Sequence, residues 1–204
     1  MNKKICMERP LILASASPRR IELLRRTMLP FQSVPSRYEE NGHASDPAEL
    51  AVELAAGKAA EVAARLGGHW ILAADTMVVA GDEILGKPEG EEDAERMLRL
   101  LSGKEHRVIT GFVLLDPCGC AAHREAPVTR VNVKSLSETE IKSYIATGEP
   151  FGKAGAYAVQ GIGTFIVEGI SGSYTNVVGL PLFHVLRALV STTAMAQFPL
   201  PPAG

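Results

Sequence analysis

The chain is poor in cysteine, has no excess of charge of either sign and carries no long apolar run. Cys6, Cys118 and Cys120 are its three cysteines among 204 residues. An odd, sparse set excludes a disulfide framework and points to a reducing compartment. Cys118 and Cys120 form C-x-C rather than the C-x-x-C of zinc and redox sites, with only His123 near them, and read as turn residues. Lys and Arg number 21 against 23 Asp and Glu, a net charge of −2. No basic surplus is available to coat a phosphodiester backbone, so a general nucleic-acid binder is excluded. No apolar stretch approaches the length of a membrane span, and the first ten residues hold no apolar run before Glu8 that would make a signal peptide. The expected location is the cytoplasm, with no membrane partner. No G-x-x-x-x-G-K-[ST] phosphate loop occurs, and Asp75-Thr76-Met77 lacks the second aspartate of D-x-D.

What is present suits one globular domain spanning residues 1–204, with flexible ends at 1–10 and 192–204. Apolar residues make up 46% and charged residues 22%, enough for a core without disulfides or a structural metal. Strand and helix patterns alternate. Leu11 to Ala14 reads as a short strand, and Ser17 caps a helix with Pro18 at its first position. A polar stretch from Gln32 to Ser45 precedes a helix that starts at Asp46 and runs to about Leu66. Trp70 to Ala74 reads as a buried strand ending at Asp75. Residues 77–85 form a hairpin around Gly81-Asp82, and a helix spans about Glu91 to Leu101. Strands over 107–115 and 127–133 are joined across Asp116-Pro117-Cys118-Gly119. A helix capped by Ser137 follows, then glycine-rich strands over 157–160 and 164–170, then a last helix opened by Pro181. Hairpins mixed with strand–helix alternation predict an α/β protein with a mixed sheet.

Six places carry candidate chemistry. Ala14-Ser15-Ala16-Ser17-Pro18-Arg19-Arg20 runs from a strand end through small residues into a helix start, where free amides and the dipole attract anions. Arginines are disfavoured at that end unless a polyphosphate binds; otherwise the segment is a capped helix with solvated arginines. Asp75 at a strand end suits a magnesium ion or a base for water, or it is a turn aspartate. Lys58 sits in a drifting apolar stripe with Leu50, Leu54, Val62 and Leu66, flanked by Gly57 and Ala59, so that little crowds its approach to a ligand; the alternative is a snorkelling lysine. Pro88 keeps Lys87 out of helix, either presenting an ammonium on a stiff loop or leaving it solvated. Gln160 lies before Gly161 and Gly163, where an amide could read a base edge or the glycines could mark a bulge. Glu39-Glu40 is an acidic pair, one member of which completes a metal site if it lies beside Asp75. Taken together, carboxylates, scattered cations and an amide are the inventory of magnesium-dependent chemistry on a nucleoside polyphosphate.

Several blocks resemble the Maf family. They are Leu13-Ala14-Ser15-Ala16-Ser17-Pro18-Arg19-Arg20, Ala74-Asp75-Thr76, Gly86-Lys87-Pro88, Ser102-Gly103, Lys153-Ala154-Gly155-Ala156-Tyr157, Val159-Gln160-Gly161 and Asn176-Val177-Val178-Gly179-Leu180-Pro181-Leu182. The resemblance implies an inosine-triphosphatase-like α/β fold, a mixed twisted sheet with helices around it and a cleft between two lobes. It implies a cytosolic, often dimeric nucleoside triphosphate pyrophosphatase, a hydrolase of nucleotide metabolism that uses Mg2+ or Mn2+. Maf proteins are also linked to inhibition of septum formation, so the other role the resemblance offers is a nucleotide-binding regulator with vestigial hydrolysis. By motif, Asp75 resembles the proton acceptor and a metal ligand, Glu40 (counted from Phe31, in preference to Glu39) the second acidic metal residue, and Ser15, Arg20, Lys58 and Lys87 the phosphate-binding set. Arg19, Thr76 and Gln160 look like the specificity positions of the dTTP/UTP branch. The 7-methyl-GTP branch carries tryptophan, glutamine and glutamate there. Gln160 offers a donor and an acceptor to the imide edge of thymine or uracil.

Overall fold

Three parallel strands begin the sheet. β1 (Leu11–Leu13) is buried throughout and lies between β2 (Phe31–Ser33) and β3 (Ile71–Ala80), pairing Leu11 with Phe31 and Ile12 with Ile71. A strand covered on both faces shows no polar alternation, which is why Leu-Ile-Leu is continuous. The computed structural model describes residues 4–200; residues 1–3 and 201–204, parts of the ends expected to be flexible, lie outside them. Near those ends, Ala194 and Met195 are buried, and the Ile5 N–H donates to Ala194 O at 2.9 Å.

The strand order is β2-β1-β3-β5-β7-β8, with β4 (Glu83–Leu85) on β3 and β6 (Ala121–Glu125) on β5. β5 (Glu105–Leu115) is antiparallel to β6 and to β7 (Val128–Val133), and β7 to β8 (Val167–Ser171). The mixed α/β sheet matches the expectation. Two compact units divide the chain: residues 1–75, 110–127 and 179–204, and residues 76–109 and 128–178. β3 passes from the first to the second after Asp75, and β5 passes back after Ile109.

In the first unit, Ser17 caps α1 (Pro18–Arg25), its hydroxyl accepting from the Arg20 N–H at 3.5 Å. Asp46 caps α2 (Pro47–Arg65) by accepting from the Ala48 and Glu49 N–H groups at 2.9 and 3.0 Å. Ala55, Ala59 and Val62 of α2 pack with Ile12, Ile71, Ala73 and Val113. The helix rests almost on bare backbone: a Cβ on Gly111 of β5 would stand 2.4 Å from the Ala51 carbonyl carbon. α6 (Leu182–Ser191) buries Val185, Ala188 and Leu189.

In the second unit, α3 (Glu91–Leu101) places three acids in its first turn, where the dipole favours them, and stops before Gly103 at φ 69°. α4 (Glu138–Ala146) carries the reciprocal Ser137–Glu140 capping box. Met97, Leu98, Val108, Val131, Ile141, Tyr144 and Tyr157 share the core. A short helix, α5 (Tyr174–Val178), buries Asn176, whose Nδ2 donates to Val108 O and Thr129 Oγ1, both at 3.0 Å.

Four local expectations need correction. The stretch from Gln32 to Ser45 opens with part of strand β2, held by pairing to β1 rather than by its own pattern. The Asp116 turn closes a hairpin onto β6, so 107–115 does not lead straight to 127–133. Its two cysteines form no disulfide among the described residues and are exposed turn residues, as read. β3 does not end at Asp75 but continues to Ala80, because its second half pairs with β4. Residues 157–160 are not a strand; they lie between 3-10 turns at Ala154–Ala156 and Gly161–Phe165, where Gly155 (φ 72°) and Gly161 (φ 70°) turn the chain.

Candidate active site

Asp75 is a carboxylate in mid-strand, at a point where β3 changes from buried to partly open. Its Oδ1 accepts from Lys58 Nζ at 2.6 Å. The same ammonium reaches Glu40 Oε1 at 2.8 Å. The Lys58 and Asp75 side chains are 13% and 14% exposed and that of Glu40 53%, so this ion pair is largely shielded on one side and open on the other. Lys58 is therefore not a snorkelling lysine. It joins the two acids singled out in the sequence, and of Glu39 and Glu40 it is Glu40 that it holds.

Glu40 is brought there by a loop strapped along α2. Residues spaced by four on that helix each grip it. Glu53 Oε2 accepts from the His43 and Ala44 N–H groups at 3.1 and 3.0 Å. Gly57 receives the Tyr38 ring. Glu61 Oε2 accepts from Ser36 Oγ and the Arg37 N–H at 3.1 and 3.0 Å. Arg65 Nη2 donates to Pro35 O at 2.8 Å. A period of four lines these residues on one helix face. Sequence reading took Gly57 as open space beside Lys58; that space holds Tyr38. The signal it missed was the row Glu53, Gly57, Glu61, Arg65, polar or bare on a helix that is otherwise rich in alanine.

Arg20 adds a second cation. Its Nε donates to Gly179 O at 2.7 Å, which fixes the guanidinium. Burial pushes its pKa down; Asp75 and Glu40 push it up and Arg19 pushes it down, so both acids lie within its electrostatic reach. Partial burial also lowers the pKa of Arg19. Both remain cations at neutral pH. Ser15 is buried in the loop before α1, its Oγ accepting from the Ser17 N–H at 3.1 Å and its carbonyl from Ser33 Oγ at 2.6 Å. Thr76, Lys87 and Gln160 belong to the second unit. Lys87 is exposed after β4, where the Gly155 N–H donates to Gly86 O at 3.0 Å, and Gln160 is half-buried just before its 3-10 turn.

Among the described residues no three His, Cys, Asp or Glu side chains gather into a metal-binding group. Two carboxylates nevertheless converge on one positive point. Magnesium commonly takes only one or two carboxylates and completes its shell with water and substrate phosphates. Asp75 and Glu40, hard oxygen donors meeting at one cation, fit that requirement.

The Maf-like protein family matches residues 10–192. The chain belongs to the Maf family. A dTTP/UTP pyrophosphatase of Ruminiclostridium cellulolyticum is 50% identical over 176 residues, covering 85% of this Maf chain and 91% of that protein. A dTTP/UTP pyrophosphatase of Geobacter sulfurreducens is 49% identical over 180 residues, 88% of this chain and 94% of its own. Among solved structures, a nucleoside-triphosphatase/dITP/XTP pyrophosphatase from Mycobacterium abscessus aligns over 92% of this chain and 99% of its own, at 16% identity and a TM-score of 0.45. No helix among the described residues is long and apolar enough to cross a membrane.

Proposed function

We propose that this Maf protein hydrolyses dTTP and UTP to the monophosphate and pyrophosphate, by attack of water on the α-phosphorus. The observation that carries the reading is Lys58 Nζ bound to both Asp75 Oδ1 and Glu40 Oε1, in a chain about half identical to dTTP/UTP pyrophosphatases.

Asp75 and Glu40 would hold the divalent cation, Mg2+ or Mn2+, which when bound adds positive charge at the phosphate oxygens and acidifies water. Asp75 accepts the proton of the attacking water at a carboxylate oxygen. Lys58 holds that carboxylate in place through its 2.6 Å ion pair. Arg20, locked through Gly179 O, supplies a fixed charge to the triphosphate, and Arg19 and the exposed Lys87 add further cations. Charges held before the substrate arrives need no reorganisation as the leaving pyrophosphate gains charge. Ser15 and the amides that lead into α1 cradle phosphate oxygens. Arg19, Thr76 and Gln160 select the base, Gln160 matching the N–H and C=O of a pyrimidine imide edge with its own acceptor and donor.

The test is product analysis over ribo- and deoxynucleoside triphosphates, with Mg2+ and with EDTA, alongside Asp75→Asn. Monophosphate and pyrophosphate from dTTP and UTP, lost in EDTA and reduced by about 100-fold or more in the variant, is the expected result. Orthophosphate as product would replace the reaction with a phosphatase. Turnover of purines instead would overturn the base assignment. Tight nucleotide binding with no product would move the protein to a binding role.

A further inference from the structure

Gln160 sits on a segment without strand partners, so the backbone on either side must be satisfied some other way. It is satisfied by two side chains. Before Gln160, the Ala158 N–H donates to Tyr144 Oη at 3.2 Å. After it, the Ile162 and Gly163 N–H groups donate to Glu149 Oε2 and Oε1 at 2.9 and 2.8 Å. Tyr144 Oη in turn donates to Glu149 Oε1 at 3.0 Å, closing the two halves into one network. Glu149 is itself placed by the end of α4, where its N–H donates to Thr147 Oγ1 at 3.2 Å.

The glycines of the segment exist for this carboxylate. A Cβ at Gly161 would lie 2.6 Å from Glu149 Oε2, at a φ of 70° that side chains seldom adopt. A Cβ at Gly163 would lie 2.3 Å from Ala158 O and 2.5 Å from Tyr144 Oη. Burial raises the Glu149 pKa, but the Gly163 and Ile162 amides, Tyr144 and Lys153 outweigh it and hold the group below its ordinary value, so it is an anion at neutral pH. A carboxylate that accepts from two consecutive amides and a phenol fixes a turn more firmly than neutral partners do.

We infer that Glu149 is a positioning residue for base selection: through the Ile162 and Gly163 amides and Tyr144 it holds the backbone on both sides of Gln160, and so sets where the Gln160 amide meets the pyrimidine edge. This rests on the reading of Gln160 given above. Glu149 touches no substrate; it acts through the segment it clamps.

The experiment compares Glu149→Gln, Tyr144→Phe, Gln160→Ala and the double variant Glu149→Gln/Gln160→Ala on UTP, dTTP and GTP. A carboxamide has one acceptor oxygen and turns an N–H2 toward an amide donor, so it cannot reproduce the clamp. Glu149→Gln should raise KM for UTP and dTTP about tenfold, the loss of one charged hydrogen bond, and lower the pyrimidine-to-GTP ratio of kcat/KM by a similar factor. Its kcat should change less than about threefold, as for lost binding rather than lost chemistry. Tyr144→Phe, a milder change, should move both quantities the same way by less. In the double variant the two effects should not add, because one acts through the other. A lowered melting temperature with KM and the ratio unchanged would make Glu149 merely structural and overturn the inference. Additive effects would do the same. If Gln160→Ala itself leaves the ratio unchanged, the base-reading role of Gln160 fails, and the inference with it. No hydrolysis by the parent chain removes the proposed function and both.

Discussion

The ring of Tyr38 lies on the backbone of Gly57, so close that a Cβ at residue 57 would stand 2.3 Å from the ring's Cζ. Tyr38 precedes Glu40 by two residues, and Gly57 adjoins Lys58. The contact therefore sets how near the Glu40 carboxylate comes to the Lys58 ammonium. Glycine inside a helix has a cost of its own, and here the cost has a visible return.

Gly57→Ala tests this directly. In an ordinary exposed helix the change would stabilise by about 1 kcal/mol. Here it should lower the melting temperature and raise KM for the triphosphate, because the strap from Pro35 to Ala44 is pushed off α2. Tyr38→Ala in the same chain should restore much of the lost stability but not KM. Thermal melts and steady-state kinetics on the single and double variants decide it; a gain in stability from Gly57→Ala alone would refute the contact.

Lys58→Met separates two jobs of one ammonium. Without it, Asp75 and Glu40 are left as like charges with no cation between them. Affinity for Mn2+ in the absence of nucleotide should rise, since a competing charge has gone. Turnover should fall at the same time, because the triphosphate loses a cation and Asp75 loses its alignment. Calorimetric titration with Mn2+ reads the first effect and product release the second. Weaker Mn2+ binding would mean that Lys58 organises the acids rather than competing for them.

His106 makes stability depend on pH. The residue is 2% exposed, and burial pushes its pKa down to about 4. Nε2 is 2.7 Å from Tyr157 Oη, and among the described residues Nδ1 has no hydrogen-bond partner. The unfolded chain binds a proton on this ring near pH 6.5, the folded chain only near pH 4. Stability is thus full above about 6.5, falls as the pH drops through that window, and loses roughly 3 kcal/mol in all from this group. Urea unfolding at pH 7, 5.5 and 4 should show a shallower acid slope in His106→Phe than in the parent. Parallel slopes would remove His106 from the account.

Much of this architecture was legible because it is local. Asp46 and Ser137 cap helices through their own side chains, and Gly81-Asp82 closes its hairpin, so sequence neighbours suffice. What was not legible depends on partners far along the chain. β2 is a three-residue edge strand that, among the described residues, pairs with β1. Ala121–Glu125 reads as a polar loop until β5 is seen beside it. Asp75 reads as a strand end because an acid interrupts an apolar run, yet β4 draws the strand onward. In the site, motif resemblance found Asp75, Lys58 and Glu40, and the fold joined them. Tyr38, Glu61 and Glu149 carried no motif, since each acts on backbone that the sequence does not show to be near.

The bare backbone at Gly111 has a wider consequence. Lys58 lies seven residues beyond Ala51 on the same stiff helix, about 10 Å along its axis. The height at which α2 rests on β5 is therefore a setting for where the ammonium arrives. A methyl group at residue 111 would add no charge, yet at 2.4 Å from the Ala51 carbonyl carbon it would shim the helix off β5 and carry the Lys58 ammonium with it. The seat of the helix at this position is set by an atom that is missing.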